Sequence, residues 1–151
     1  KINLELIFLK NNWPTNLPSG IIHADVFQDN VFFKNGTFSG LIDFYFACND
    51  YYAFELAICI NAWCFSEKVD INTKNLSIFL NSYQKHRKLS NNEKNSLPIL
   101  LRGAAMRFLL TRLHDLIFHN SNDYVEPKDP IEYLKILEFH QNYNCLKNIE
   151  F

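Results

Sequence analysis

His23-Ala24-Asp25-Val26-Phe27-Gln28-Asp29-Asn30, followed by Leu41-Ile42-Asp43-Phe44, is the stretch on which the reading of this chain turns. Between the two pieces lie Val31-Phe32-Phe33 and Phe38-Ser39-Gly40-Leu41-Ile42, separated by Lys34-Asn35-Gly36-Thr37. Two short apolar runs flanking an Asn-Gly pair signal a tight β-hairpin, because Asn and Gly tolerate the left-handed backbone such a turn needs. The spacing predicts strands over residues 31–33 and 38–42. The first strand carries Asn30 out and the second returns Asp43 beside it, although the two are 13 positions apart.

Taken singly, these residues have ordinary explanations. Asp25 reads as a turn residue, Asn30 as a loop polar, and Asp43 as the cap of a following turn. His23, between Ile22 and Ala24, reads as a packed, hydrogen-bonded histidine. Their conjunction is more specific. Phosphoryl transfer from ATP needs a carboxylate that accepts the hydroxyl proton, plus an amide and a second carboxylate that hold Mg²⁺ against the triphosphate. The pattern His-x-Asp-x-x-x-x-Asn, hairpin, Asp-Phe supplies those groups in that order.

Outward from this stretch the pattern is helical. Residues 2–9 read as a short helix stopped by Asn11-Asn12-Trp13-Pro14, and Leu17-Pro18-Ser19-Gly20 as a turn. From about residue 51, Phe54 to Phe65 is apolar on nearly every side, which predicts a buried helix with Asp50 as its N-cap. Leu76, Phe79, Leu80 and Tyr83 fall on one helical face. Ser90-Asn91-Asn92-Glu93 is a capping-box pattern, with Pro98 expected in the first turn of a long helix ending near Phe118. Residues 120–129 read as a polar loop, and Asp129-Pro130-Ile131-Glu132 opens a last helix. The expected architecture is mostly helical α+β, one small hairpin followed by about four helices.

Composition narrows the class of function. The chain has 151 residues, 48% hydrophobic and 21% charged, an ordinary globular balance with enough material for a core. A net charge of −1 removes the electrostatic case for a nucleic-acid binder. Apolar runs are interrupted by Asn61 and Glu67, or by Arg102, Arg107 and Arg112, so no membrane span is expected. No charged-then-apolar leader stands at the start, and a cytoplasmic location is expected. Cys48, Cys59, Cys64 and Cys145 lack zinc-site spacing and read as free thiols. The chain opens on Lys1 directly into an apolar run, which reads as the middle of a longer protein.

Gly20-Ile21-Ile22-His23-Ala24-Asp25 through Asp29-Asn30-Val31 resembles the catalytic loop of the aminoglycoside and choline phosphotransferases. Within that superfamily, residues 39–50, Ser-Gly-Leu-Ile-Asp-Phe-Tyr-Phe-Ala-Cys-Asn-Asp, are similar to the homoserine-kinase branch, as are residues 57–64 and 107–116. The resemblance covers residues 17–140. It implies the C-terminal lobe of the protein-kinase-like (aminoglycoside phosphotransferase) fold, with residues 1–151 as a catalytic lobe lacking the N-terminal nucleotide-binding lobe and inactive alone. It implies ATP and Mg²⁺ as cofactors, with Asp25 as base, His23 bracing its loop, and Asn30 and Asp43 on the metal. The implied reaction is phosphorylation of the hydroxyl of L-homoserine, a step of threonine biosynthesis. Glu55 stands where the family usually has Asp, and either acid favours a helix start.

An amino-acid acceptor asks for a cation near its carboxylate and an acidic or carbonyl group near its ammonium. Arg107 and Arg112 are the candidates for the first, Asn49 and Asp50 for the second. Arg102, Arg107 and Arg112 step by five along one helix and cannot share a face, and interhelical ion pairs are the ordinary alternative for each. A choline acceptor would instead call for an aromatic cage, for which Tyr45, Phe46, Tyr51 and Tyr52 are available. An aminoglycoside acceptor would call for an acidic rim, against which the basic long helix speaks. A non-catalytic binding module that kept the fold is the rival of a different class, and the presence of Asp25, Asn30 and Asp43 together argues against it.

Overall fold

A computed structural model of the chain describes residues 1–66, 68–120 and 126–147. The chain is mostly helical, as the sequence predicts. Helix α1 (Ile2–Asn12) ends where Trp13-Pro14 begins, since the residue before a proline is pushed out of helical geometry. The hairpin forms from β2 (Val31–Lys34) and β3 (Thr37–Leu41), within a residue of the predicted strands. Asn35 and Gly36 adopt φ of 52° and 75°, the paired left-handed residues of a two-residue hairpin turn. Phe33 pairs with Phe38 but Phe32 with Gly40, so Ser39 is the extra residue of a β-bulge.

A second two-stranded sheet was not legible in the sequence. Strand β1 (Ser19–Ile22) pairs antiparallel with β4 (Cys48–Tyr51), Ile22 opposite Cys48 and Gly20 opposite Asp50. The two segments are too short and too mixed in polarity to show a period of two. This pairing corrects the expectation for Asp50. The residue preceding α2 (Tyr52–Trp63) is Tyr51, which makes no side-chain cap, and Asp50 lies in β4 with its Oδ1 accepting from the Tyr51 N–H at 2.7 Å.

Helix α2 is buried nearly all round, with Ala53, Leu56, Ala57, Ile58 and Ile60 at most 1% exposed, as its unbroken apolar sequence requires. Helix α3 (Thr73–His86) buries Leu76 and Leu80. Helix α4 (Asn91–Phe118) starts at a complete capping box: the Ser90 hydroxyl accepts from the Glu93 N–H while Glu93 Oε2 accepts from the Ser90 N–H. That cap sets the start one turn and more ahead of Pro98, which therefore sits inside the helix rather than in its first turn. Burial of Leu97, Leu100 and Leu101 on both sides of it holds the helix together across the missing hydrogen bond. Helix α5 (Pro130–Asn142) opens with Asp129 capping the Ile131 N–H at 2.8 Å.

Helix α4 is the spine. It packs along α5 and α2, and α1 closes on it through Arg102, which grips both carboxylate oxygens of buried Glu5 at 2.8 and 2.6 Å. All four cysteines are free, and burial pushes the Cys64 and Cys145 thiols up to about 12 and about 11. No helix among the described residues is long and apolar enough to cross a membrane. Of the polar loop expected at residues 120–129, residues 121–125 lie outside the described residues.

Candidate active site

The site is built where β1 runs out. His23 follows buried Ile22, and its ring settles its own tautomer. Nδ1 accepts from the Asp25 N–H at 3.2 Å, so Nε2 carries the proton and donates to the Ile42 carbonyl at 2.8 Å. The neutral imidazole thus ties the loop holding Asp25 to the residue before Asp43, with Phe44 packed edge-on against it at 4.6 Å. Between His23 and Asp25, Ala24 has φ of 63°, a left-handed conformation that costs a non-glycine residue about 1–3 kcal/mol. Its peptide groups are held from both sides. The Ala24 N–H donates to Glu55 Oε2 at 2.9 Å, and the Ala24 carbonyl accepts from the Arg107 guanidinium.

The 3₁₀ turn Gln28–Asn30 then returns the chain under Asp25. Asn30 Nδ2 donates to the Asp25 carbonyl at 2.9 Å and to Asp25 Oδ2 at 3.1 Å. The hairpin closes with the Ile42 N–H on the Asn30 carbonyl at 3.1 Å, so Asp43 emerges beside Asn30. Asp43 itself is left-handed, at φ of 62°, and turns the chain into the 3₁₀ segment Phe44–Phe46.

Asp25, Asn30 and Asp43 line one cavity of about 690 Å³. One side of it is a ladder along α4, comprising Arg107, Phe108, Thr111, Arg112, His114, Asp115 and Phe118. These positions repeat every three to four residues and so share a helix face. The other side is the segment Glu126–Lys128, with Phe27 and Asp29 at the base. Burial raises the Asp25 carboxyl above its ordinary value; Arg107 and the Asn30 hydrogen bond oppose that shift, and nearby Asp43 adds to it. Burial pulls the Arg107 guanidinium down, against the attraction of Asp25, Cys48, Glu55 and Asp50.

The three arginines of α4 have different surroundings. Arg102 lies away from the cavity on Glu5. Arg107 lies beside Asp25, its guanidinium over the rings of Phe108 and Phe46 at 4.6 and 5.2 Å. Arg112 also lines the cavity, with NH1 donating to the Asp129 carbonyl at 3.0 Å and to Glu132 Oε2 at 2.6 Å. Asn49 and Asp50 sit in β4 and do not line the cavity, although Asp50 lies within electrostatic reach of Arg107. Of the four aromatics available for a cage, only Phe46 reaches the cavity; Tyr52 lies under Arg87, and Tyr51 packs on the core.

Sequence reasoning missed two contributors. Glu55 reads in sequence as an acid at a helix start, yet its carboxylate grips the loop 31 residues upstream. Lys128 stands 99 residues from Asp29, and nothing in the pattern links them, but its Nζ donates to Asp29 Oδ2 at 2.6 Å and holds that carboxyl below the usual range.

The donor set suits magnesium. Both hydrogen bonds of the Asn30 side chain to Asp25 use Nδ2, which leaves the amide oxygen for a cation, and Asp43 adds a carboxylate close by. Among the described residues no cluster of three or more His, Cys, Asp or Glu could hold a metal unaided. One carboxylate and one amide fit an ion that takes its remaining ligands from phosphates and water, the habit of Mg²⁺.

Known proteins are similar to this chain in sequence. The chain is 53% identical over 141 residues to a homoserine kinase of Rhodopseudomonas palustris (strain BisB5), covering 93% of this chain and 43% of that protein. It is 56% identical over 142 residues to a homoserine kinase of Afipia carboxidovorans, covering 94% and 44%. It is 52% identical over 151 residues to one of Bartonella henselae, covering 100% and 47%. The chain therefore spans under half the length of the curated relatives it matches. Residues 4–89, which include the whole His23–Asp43 unit, match the model of the phosphotransferase enzyme family, and with its loop, hairpin and helical scaffold disposed as described, this chain belongs to that family.

Proposed function

We propose that the complete protein phosphorylates the side-chain hydroxyl of L-homoserine from ATP, and that residues 1–151 form its acceptor-side lobe, with the nucleotide's outer contacts supplied elsewhere in that protein. The observation that carries the reaction class is the convergence of Asp25, Asn30 and Asp43 on one cavity. In this reading Asp25 accepts the hydroxyl proton and aligns the attacking oxygen. Asn30 holds Asp25 in place through Nδ2, while its amide oxygen and the Asp43 carboxylate would hold Mg²⁺. Bound Mg²⁺ supplies neutralisation of the charge on the transferring phosphoryl group. His23, Glu55 and Arg107 keep the loop in the strained conformation that aims Asp25.

The acceptor class rests on the similarity to homoserine kinases together with the charges of the cavity. Its wall mixes Arg107, Arg112 and Lys128 with Asp29, Asp115 and Glu126, which suits a zwitterion better than a polycation. The cage that choline would need is not assembled, since Tyr51 and Tyr52 face away. Arg107 and Arg112 form the positive wall in this reading, with Asp50 in electrostatic reach of Arg107 and Asn49 beside it in β4. The reading implies a cytoplasmic biosynthetic enzyme.

The test is a side-by-side assay of the complete protein with Mg-ATP against L-homoserine, choline and kanamycin, with Asp25→Asn alongside. Homoserine is expected to give the highest kcat/KM. Asp25→Asn is expected to keep the fold and lower turnover about 10²- to 10⁴-fold, the range for a positioned base. Near-normal turnover by Asp25→Asn refutes the base, and preference for choline or kanamycin refutes the acceptor.

A further inference from the structure

The cavity contains a ready-made pair of opposite charges that the proposed phosphoryl transfer does not use. Asp29 lies immediately before Asn30, and Lys128 comes from the far wall, their charged atoms 2.6 Å apart. Both side chains are 58% exposed, so the pair is open to solvent and worth little to the fold. The other cations of the wall are tied to the backbone: Arg107 to the Ala24 carbonyl, Arg112 to the Asp129 carbonyl as well as to Glu132. Among the described residues, Lys128 alone of these three bonds a side-chain carboxylate and no backbone carbonyl, and its Nζ keeps two further N–H bonds after donating one. It is also steadied without being immobilised, 5.5 Å above the ring of Phe27, which packs on Phe108 and Tyr133.

An α-amino acid presents an ammonium and a carboxylate a few ångströms apart, the mirror complement of this pair. We propose that Asp29 and Lys128 bind the head group of the amino-acid acceptor, Lys128 meeting its carboxylate and Asp29 its ammonium. This rests on the acceptor reading above and sharpens it. Insertion of the zwitterion forms a four-charge ring in which each charge keeps an opposite neighbour, so no charge is left unpaired. The acceptor chain then extends along the cavity toward Asp25, four residues before Asp29, with the hydroxyl leading. Arg107 and Arg112 act on it only through their field.

Truncated acceptors separate recognition from mere strap-tying. 3-Amino-1-propanol is homoserine without its carboxylate, and 4-hydroxybutanoate is homoserine without its ammonium. In the complete protein, Lys128→Met is expected to lower kcat/KM for homoserine about 10- to 100-fold more than for 3-amino-1-propanol, the worth of a charge-assisted hydrogen bond. Asp29→Asn is expected to lower homoserine more than 4-hydroxybutanoate by a similar factor. The exchange Asp29→Lys with Lys128→Asp rebuilds the tie with reversed polarity, so thermal stability returns to the wild-type value while the preference for homoserine does not. If Lys128→Met weakens homoserine and 3-amino-1-propanol equally, or the exchange restores homoserine kinetics, the pair is only a tie and this inference is overturned. If the wild-type protein does not phosphorylate homoserine at all, the functional reading itself fails and the inference falls with it.

Discussion

His140 joins three helices from the inside, and its environment makes the stability of this fold depend on pH in a calculable way. The ring is 9% exposed, flanked by Phe65 and Phe139, each with its ring centre 5.4 Å away. Asn61 donates its Nδ2 to the Leu101 carbonyl at 3.0 Å, so its Oδ1 faces His140 and accepts from Nε2 at 2.8 Å. A proton added to this ring would enter a dry site with Arg102 nearby. Burial, helped by the Arg102 charge, pushes the His140 imidazole down from 6.5 to about 4. The unfolded chain therefore binds a proton below pH 6.5 that the folded chain refuses. Stability from this group is unchanged above about pH 6.5, falls as the pH drops toward about 4, and is flat below that. The gap corresponds to about 3 kcal/mol in all, of which about 2 kcal/mol is lost by pH 5. Urea unfolding of the complete protein and of His140→Gln at pH 7, 6 and 5 isolates the effect. Gln keeps a donor for Asn61 and does not titrate, so contributions from carboxylates such as Glu5 cancel in the difference. The wild-type advantage is expected to shrink by about 2 kcal/mol between pH 7 and 5. Parallel curves, constant to about 0.5 kcal/mol, would refute the reasoning.

Two further substitutions probe the scaffold of the loop. Glu55→Ala removes a charged acceptor from the N–H of left-handed Ala24 and is expected to cost about 1.5–3 kcal/mol in unfolding free energy, with kcat falling more than homoserine KM rises; unchanged kcat shows that Asp25 is aimed without Glu55. Gly103→Ala in α4 gains about 1 kcal/mol of helix propensity but drives its methyl to 2.3 Å from the Trp13 ring, an overpacking of about 1–3 kcal/mol. A net loss of stability is expected, relieved by Trp13→Leu, and a stabilised Gly103→Ala protein refutes the packing account.

Much of this protein was decided locally, and so was readable in one dimension. The Asn35-Gly36 turn, the Ser90–Glu93 capping box and the Asp129-Pro130 helix start each depend on backbone preferences and hydrogen bonds within a few residues. The hairpin is local too, which is why the approach of Asn30 to Asp43 is legible in the sequence. What the sequence alone does not determine is any contact whose partners are far apart in the chain and individually unremarkable. The pairing of β1 with β4 joins two short, non-periodic segments, and it moved Asp50 from a helix cap into a strand. Pro98 was misplaced because propensity marks a preferred position, whereas the capping box and the burial around Leu97 and Leu101 set the real one. The grip of Glu55 on Ala24, the tie of Lys128 to Asp29, and the division of three evenly spaced arginines among Glu5, Ala24 and Asp129 were all settled by how α2, α4 and the last loop pack. A charged side chain records in the sequence only that it needs a partner. Which partner it finds depends on the direction each helix faces once the apolar core has closed.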